Sequence, residues 1–247
     1  MNGRRSSFLV GLILVLLLIV SIGVGALLGS DFSPAEMGRY FVQKIPVLGP
    51  KLYPHELPRN IDKAMDLRLP RLFLAAVVGA GLAVAGAVFQ ALFRNPLADP
   101  YFLGVSAGAS FGNTLAVVLG AGAIGFLGRG LAAVSAFAVA LAAVLMVYTL
   151  AKSKGRVPLA NLVLAGIAVS SVLTAFVSAL MLLSRQLLER IVLVTMGSFA
   201  RASFEDLAWA APAVLAGVGV CFLFASDLNL FLFGEEHAAG LGLNVER

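Results

Sequence analysis

The chain has 247 residues, of which 60% are hydrophobic and only 13% are charged. A soluble domain is about a quarter charged, so this chain lacks the polar residues that would cover a water-soluble globule. Its net charge of +5 is not gathered into a basic patch with interleaved aromatic residues, which argues against nucleic-acid binding. The composition predicts an all-α polytopic membrane protein whose surroundings are lipid.

Apolar runs of about 20 residues, long enough to cross a bilayer core of about 30 Å, recur along the chain. The first follows Arg4 and Arg5 and is longer than the apolar region of a signal peptide, which indicates a retained first helix. We predict about six membrane-spanning helices within a single transmembrane domain, residues 1–247. In chain order they are Phe8–Leu28, Leu72–Phe93, Pro100–Leu119, Leu131–Leu150, Leu159–Leu183 and Leu207–Phe224.

The charges between these runs predict the orientation. Residues 29–66 mix both signs with several prolines and are predicted to form an external loop. With the N-terminus in the cytoplasm, the inner loops carry Arg94 and the basic cluster between Lys152 and Arg156, as the positive-inside rule requires. The segment 226–247 then lies in the cytoplasm.

The stretch FRNPLADPYFLGVSAG joins the second run to the third and predicts a tight cytoplasmic hairpin. Pro96 disfavours helix at the residue before it, and Asp99 is placed to cap the next helix with Pro100 at its first position. The third run has small residues at every fourth position from Gly104 to Gly112, and the second has them from Gly79 to Ala91. Because such stripes let helices approach closely in lipid, we expect these two helices to pack together. The residues assigned to the hairpin are Arg94, Asn95, Pro96, Asp99, Pro100, Gly104 and Gly108.

The fifth run carries an unusual row of hydroxyl residues. Gly166, Ser170, Thr174 and Ser178 recur at every fourth position, and Ser171 lies beside them. Hydroxyls within a membrane helix can bond to their own backbone, which would make the row structural. The alternative is that the row faces a pathway that tolerates polar groups at a subunit interface. The spacing is the same in both cases.

No span has a charged residue near its centre, as ion-coupled transporters usually require. The sequence lacks H-E-x-x-H and paired intramembrane aspartates, and neither His55 and His237 nor the single Cys221 has metal-ligand spacing. We therefore predict no catalytic residue, no metal site and no cofactor. If the chain transports a molecule, another protein must supply the energy.

The segment LRLPRLFLAAVVGAGLAVAGAVFQALFRNPLADPYFLGVSAGASFG (Leu67–Gly112) resembles the permease subunits of bacterial ABC importers for iron–siderophore complexes, haem and cobalamin, the type II importers. R-L-P-R, R-N-P-L-A-x-P and L-G-x-S-x-G, in this order, are a specific combination. The resemblance continues, in order, at Leu162–Met181, Met196–Leu207 and Leu228–Leu243.

The resemblance implies a homodimer in the bacterial cytoplasmic (inner) membrane, with a pathway between its subunits, and not an enzyme. A cytoplasmic ATP-binding subunit would hydrolyse ATP, since this chain has no G-x-x-x-x-G-K-[ST] motif. An extracytoplasmic substrate-binding protein would deliver the ligand, and Arg68 and Arg71 would contact its acidic residues. The fifth helix, with Gly166, Ser170, Ser171, Thr174 and Ser178, would line the pathway. Coupling to the ATPase is implied for Gly234, Glu235, Glu236, Ala238, Ala239, Leu241 and Gly242.

The chain departs from the family in length. Family members usually have about ten spans, whereas this chain ends at Arg247, so the C-terminal part of the family fold is expected to be missing. Either the chain is a truncated product or fragment, or the remaining helices come from another chain. The alternative function is a truncated, non-transporting membrane remnant that still binds the ATPase subunit; an intramembrane enzyme would need residues that are not present. The sequence does not distinguish the ligands, and iron–siderophore is the first choice because it is the commonest in the family.

Overall fold

The computed structural model describes residues 2–28, 33–44, 52, 59–121, 125–153, 157–234 and 240–241. Its regular elements are helices. The α-helices in chain order are α1 Asn2–Leu27, α2 Pro34–Gln43, α3 Arg59–Phe93, α4 Val105–Val118, α5 Gly125–Ala151, α6 Leu159–Leu183, α7 Leu188–Met196, α8 Phe204–Leu223 and α9 Ala225–Phe231. Short 3-10 helices cover Pro100–Leu103 and Arg185–Leu187.

Within the described residues, five helices are long and apolar enough to cross a membrane: α1, α3, α5, α6 and α8. The prediction of about six spans differs at the third. There, Pro100–Leu103 is a 3-10 helix, and Gly104 has φ 74°, a left-handed conformation that ends it before α4 begins. The remaining 14 residues of α4 extend about 21 Å. The polytopic, all-helical class is confirmed, with five candidate spans and one shorter apolar helix.

The predicted external loop contains regular structure that the sequence analysis did not assign. Helix α2 lies within it, and α3 begins at Arg59, well before the predicted start at Leu72. The 35 residues of α3 extend about 52 Å, more than the thickness of a bilayer core. Ile61, Met65 and Leu69 are buried at successive i+4 positions, and this apolar stripe in a charged segment explains why the helix continues outside the apolar run.

The chain divides into two compact units, and the first comprises Met1–Ala76 with Phe199–Leu207. In it, Tyr40 of α2 packs with the buried stripe of α3, and its hydroxyl donates to Asp66 Oδ1 at 3.2 Å. An ion pair of 3.1 Å joins Lys44 to Asp62. Ser33 and Glu36 form a capping box at the start of α2, and the hydrogen bonds that Glu36 accepts from the Ser33 backbone and hydroxyl hold the pKa of its carboxyl below the usual range.

The second unit comprises Val77–Ser198 with Ala208–Arg247, and its best-packed pair of helices is α4 and α5. A Cβ atom built on Gly108 would lie 2.8 Å from the Ala140 Cα atom, and one on Gly112 would lie 2.9 Å from the Ala136 Cα atom. Around Gly79 of α3, by contrast, nothing lies within 4 Å of such an atom. The expected partnership was therefore wrong: the glycines of α4 serve contact with α5, because a stripe of small residues does not specify its neighbour.

The hairpin after α3 uses its polar residues to complete backbone hydrogen bonding. Arg94 has φ 49°, and the amides of Arg94 and Asn95 donate to the carbonyls of Ala91 and Gln90 at 3.2 Å each. This pair of bonds is the Schellman ending of a helix. The Asn95 side chain then accepts from the amide of Leu97 at 2.9 Å, which turns the chain towards the next element.

Asp99 caps the element that follows, with Pro100 at its first position. Its Oδ1 atom accepts from the amide of Tyr101 at 2.8 Å. The capped element is the 3-10 helix and not the α-helix that was expected, since the left-handed Gly104 separates the two. Both ends of the hairpin are thus closed by residues of the hairpin itself.

Candidate functional site

An open groove of about 380 Å³ lies in the second unit between α6 and the 3-10 helix of the hairpin. Its lining combines three hydroxyl-bearing residues of α6 with aromatic and aliphatic side chains. The lining residues are Tyr101, Phe102, Ile167, Ser170, Ser171 and Thr174. Such a mixture offers hydrogen-bonding groups within an otherwise apolar surface, the composition that small-molecule sites usually have.

Gly166 of α6 lies against the hairpin backbone next to this groove. It is buried, and a Cβ atom at this position would collide with the Phe102 carbonyl oxygen and lie 3.3 Å from the Leu103 Cα atom. One turn further along α6, the Ser170 Oγ atom lies 3.3 Å from the corresponding position on Gly104. The absence of side chains at Gly104 and Gly166 therefore allows the hairpin backbone to lie directly on α6.

Two of the α6 hydroxyls bond to their own helix. Ser171 Oγ donates to the Ile167 carbonyl at 2.8 Å, and Ser178 Oγ donates to the Thr174 carbonyl at 3.0 Å. These are the bonds of the structural interpretation, but Ser171 also lines the groove. Ser171 therefore makes the backbone bond of the structural interpretation and also lines the groove, while a pathway role for it stays a prediction.

The predicted pathway residues do not share one environment. Ser170, Ser171 and Thr174 line the groove. Gly166 is buried against the backbone of Phe102, and Ser178 is exposed and is not part of the lining. Their role in transport stays a prediction. Tyr101 and Phe102 also line the groove, and the sequence did not predict them as neighbours of the hydroxyl row. The only feature of the sequence that marks these two residues is their position just after the Asp99 cap.

The two arginines predicted to meet the binding protein lie on α3 in the first unit, and their surroundings differ. Arg68 Nη1 donates to the carbonyls of Ala26 at 3.0 Å and Leu28 at 3.1 Å. Arg71 is half-buried, and its Nε atom is buried with no hydrogen-bond acceptor among the residues that the structure describes. Their docking role stays a prediction, but the local chemistry already separates them.

Of the predicted coupling residues, only Gly234 and Leu241 lie within the described residues. Gly234 is buried with φ 105°, which favours glycine, and Leu241 is 67% exposed. The short helix α9 precedes them. The coupling predictions that lie outside the described residues are Glu235, Glu236, Ala238, Ala239 and Gly242.

Comparisons with known proteins show which family the chain matches. The model of the FecCD transport family matches residues 13–247. The chain is 40% identical over 181 residues to the cobalamin import system permease protein BtuC of Halobacterium salinarum, covering 73% of this chain and 48% of that protein. It is 40% identical over 184 residues to the hemin transport system permease protein HmuU of Yersinia pestis, covering 74% of this chain and 55% of that protein.

A solved structure, described as an inward-facing conformation of a metal-chelate type ABC transporter, is also similar. The TM-score is 0.71 with 28% sequence identity, and the match covers 94% of this chain and 65% of that one. The chain spans about half the length of the curated relatives it matches.

Proposed function

This chain belongs to the FecCD transport family, and from that membership we propose that it is the permease subunit of an ATP-driven importer. The main support for this proposal is that the match to the family model spans 235 of the 247 residues, from residue 13 to residue 247. The chain is a multi-pass protein of the inner membrane, and ATP hydrolysis belongs to a separate cytoplasmic subunit.

The ligand class we propose is a bulky metal chelate of the iron–siderophore, haem or cobalamin type. The relatives named for cobalamin and hemin support this class, as does the similar metal-chelate transporter. The groove of about 380 Å³ between α6 and the hairpin would contact part of such a ligand, with aromatic and aliphatic side chains against its apolar parts and hydroxyls at its polar edge. Iron–siderophore is the first choice within the class.

We propose that two copies of the chain enclose the pathway, with α6 of each copy facing it. Arg68 and Arg71 would form the docking site of an extracytoplasmic binding protein, since guanidinium groups pair well with carboxylates across an interface. The segment from Gly234 to Gly242 would contact the ATPase. Movement of this contact, driven by ATP, would switch the pathway between outward-open and inward-open states.

Reconstitution tests this function directly. The chain would be incorporated into liposomes with its cognate ATPase and binding protein, and ATP hydrolysis and uptake would be measured in parallel with a ferric siderophore, hemin and cyanocobalamin. We expect one of these to stimulate both. Stable binding of the ATPase with no stimulation by any of them would instead favour a non-transporting membrane protein.

Filling the groove should block transport without disrupting assembly. We expect Ser171→Phe to lower uptake roughly tenfold or more, a barrier increase of about 1.4 kcal/mol, because this exposed residue lines the groove and the ring would occupy its space. Ser178→Phe is the matched control, since it makes the same change on the same helix but outside the groove lining. Equal uptake by the two variants would argue against the groove as part of the pathway.

A further inference from the structure

Helix α3 runs without interruption from Arg59 to Phe93, although Pro70 lies in its interior. A proline has no backbone N–H group, so Pro70 cannot donate to the carbonyl of Asp66, four residues before it. The proline ring also crowds that carbonyl, and sharp bends in helices occur mostly at such residues. The turn from Asp66 to Pro70 is therefore the part of α3 where backbone hydrogen bonding is weakest.

One apolar cluster of the first unit extends to both sides of this turn. The buried stripe of α3 ends at Leu69, just before the proline, and forms the cluster with Tyr40 of α2. Met37 of α2 packs against this cluster, and so does Phe73, which lies one turn beyond the proline. Pro70 itself is less than 2% exposed. Packing to which α2 contributes thus bridges the turn that lacks a hydrogen bond.

Polar contacts join the end of α2 to α3 at the start of the same turn. The Tyr40 hydroxyl donates to Oδ1 of Asp66 at 3.2 Å, and Asp66 is also the residue whose carbonyl loses its donor. Lys44 pairs with Asp62 at 3.1 Å, and its Nζ atom lies 5.2 Å from the centre of the Tyr40 ring. The Lys44 and Asp62 side chains are 55% and 45% exposed, so water screens their attraction and the pair opens at little cost.

We propose that α2 is a splint for the bend of α3 at Pro70. While the Tyr40 and Lys44 contacts are closed, they and the apolar cluster hold the weakened turn in one conformation. When these contacts open, the turn bends, and the part of α3 before Pro70 changes direction relative to the residues just after it. The device depends on contacts within the first unit alone, and it does not rest on the proposed importer function.

Hydrogen exchange of the full chain, purified in lipid nanodiscs, measures how often this turn opens. The probe is the set of amides in residues 67–73, to which Pro70 contributes none. We expect Tyr40→Phe to speed exchange there roughly 3- to 10-fold, the range set by the net contribution of a typical hydrogen bond. This substitution keeps the ring in the cluster and removes only the hydroxyl that reaches Asp66.

Two further variants define the specificity of that effect. Lys44→Met should speed exchange in residues 67–73 in the same direction but by less, because its ion pair is exposed. Tyr148→Phe is the matched control, since it removes the same hydroxyl from a 48% exposed tyrosine of α5 and should leave these amides unchanged. Wild-type exchange in both Tyr40→Phe and Lys44→Met would overturn the splint.

Pro70→Ala tests whether the proline is the reason that α3 needs a splint. Alanine supplies the N–H group that donates to the Asp66 carbonyl, so the turn no longer depends on α2. We expect Tyr40→Phe to change exchange in residues 67–73 by less than about twofold in the Pro70→Ala background, because residues that act together are non-additive. An equal effect of Tyr40→Phe in the wild-type and Pro70→Ala backgrounds would show that α2 does not brace a bend at the proline.

If Pro70→Ala does not fold, the pattern of exchange along α3 in Tyr40→Phe decides the question. A bend at the proline should raise exchange more in residues 67–73 than in residues 63–66. Fraying of α3 from its start at Arg59 would raise it most in residues 63–66, and this result would overturn the proposal. Arg68 and Leu72 contact the end of α1, and every variant keeps both side chains, so the comparison isolates α2.

Discussion

Replacing Gly166 with alanine is expected to destabilise the protein by about 1–3 kcal/mol, the usual cost of overpacking a filled interior. The expected sign is informative, because an alanine in a helix interior is ordinarily more favourable than a glycine by up to about 1 kcal/mol. At this position the added methyl group would collide with the Phe102 carbonyl oxygen. Backbone cannot move aside as easily as the end of a flexible side chain, so the hairpin would have to shift from α6.

Thermal unfolding in detergent measures this effect, with Gly79→Ala as the control. Gly79 also lies in a long apolar helix, but nothing is within 4 Å of the position its Cβ atom would take. We expect Gly79→Ala to be neutral or slightly stabilising. If Gly166→Ala and Gly79→Ala both increased stability, the hairpin and α6 would be less closely packed than in the structure.

Reversing the charge of both docking arginines is expected to weaken binding of the binding protein by at least about 100-fold. Truncating one partner of a buried charge pair at an interface typically costs about 2–5 kcal/mol, and a reversal adds repulsion. The double variant is Arg68→Glu with Arg71→Glu, and Arg71→Glu alone should account for part of the loss. Surface plasmon resonance on nanodiscs, at several salt concentrations, would measure both affinity and its electrostatic component.

Lys63→Glu is the matched control for Arg71→Glu. Lys63 is exposed on the same helix, and the substitution changes the net charge by the same amount. We expect only a modest, salt-sensitive decrease in the association rate, as for a charge at the rim of an interface. Equal loss in the two variants would indicate that general charge attraction, and not a specific contact at Arg71, controls docking.

Local chemistry made several features of the fold predictable from the sequence. The Asp99 cap and the end of α3 before Asn95 each depend on residues within a few positions of one another. The boundaries of α3 were less predictable, because its first turns lie in a charged segment. Their apolar stripe is buried only through α2, whose Tyr40 is 26 residues from Asp66.

The candidate site was predictable only in part. The hydroxyl row on α6 was recognisable from its regular spacing, but its members have different environments. Ser170 lines the groove, Ser178 bonds to its own backbone, and Gly166 contacts the hairpin backbone. Tyr101 and Phe102 carry no pattern that assigns them to α6. They reach it because the hairpin backbone packs directly on Gly166, which is far from them along the chain.

The membrane class, the helical content, the hairpin caps and the family all follow from the order of the residues, because run length, composition and local hydrogen bonding depend on near neighbours. The packing of the helices determines which helix the glycines of α4 contact, which hydroxyls share a groove and how Arg68 differs from Arg71. The two arginines stand one turn apart in the same motif, so their local patterns are equivalent. What separates them is a contact with Ala26, 42 residues away, and such a contact exists only once the helices have packed.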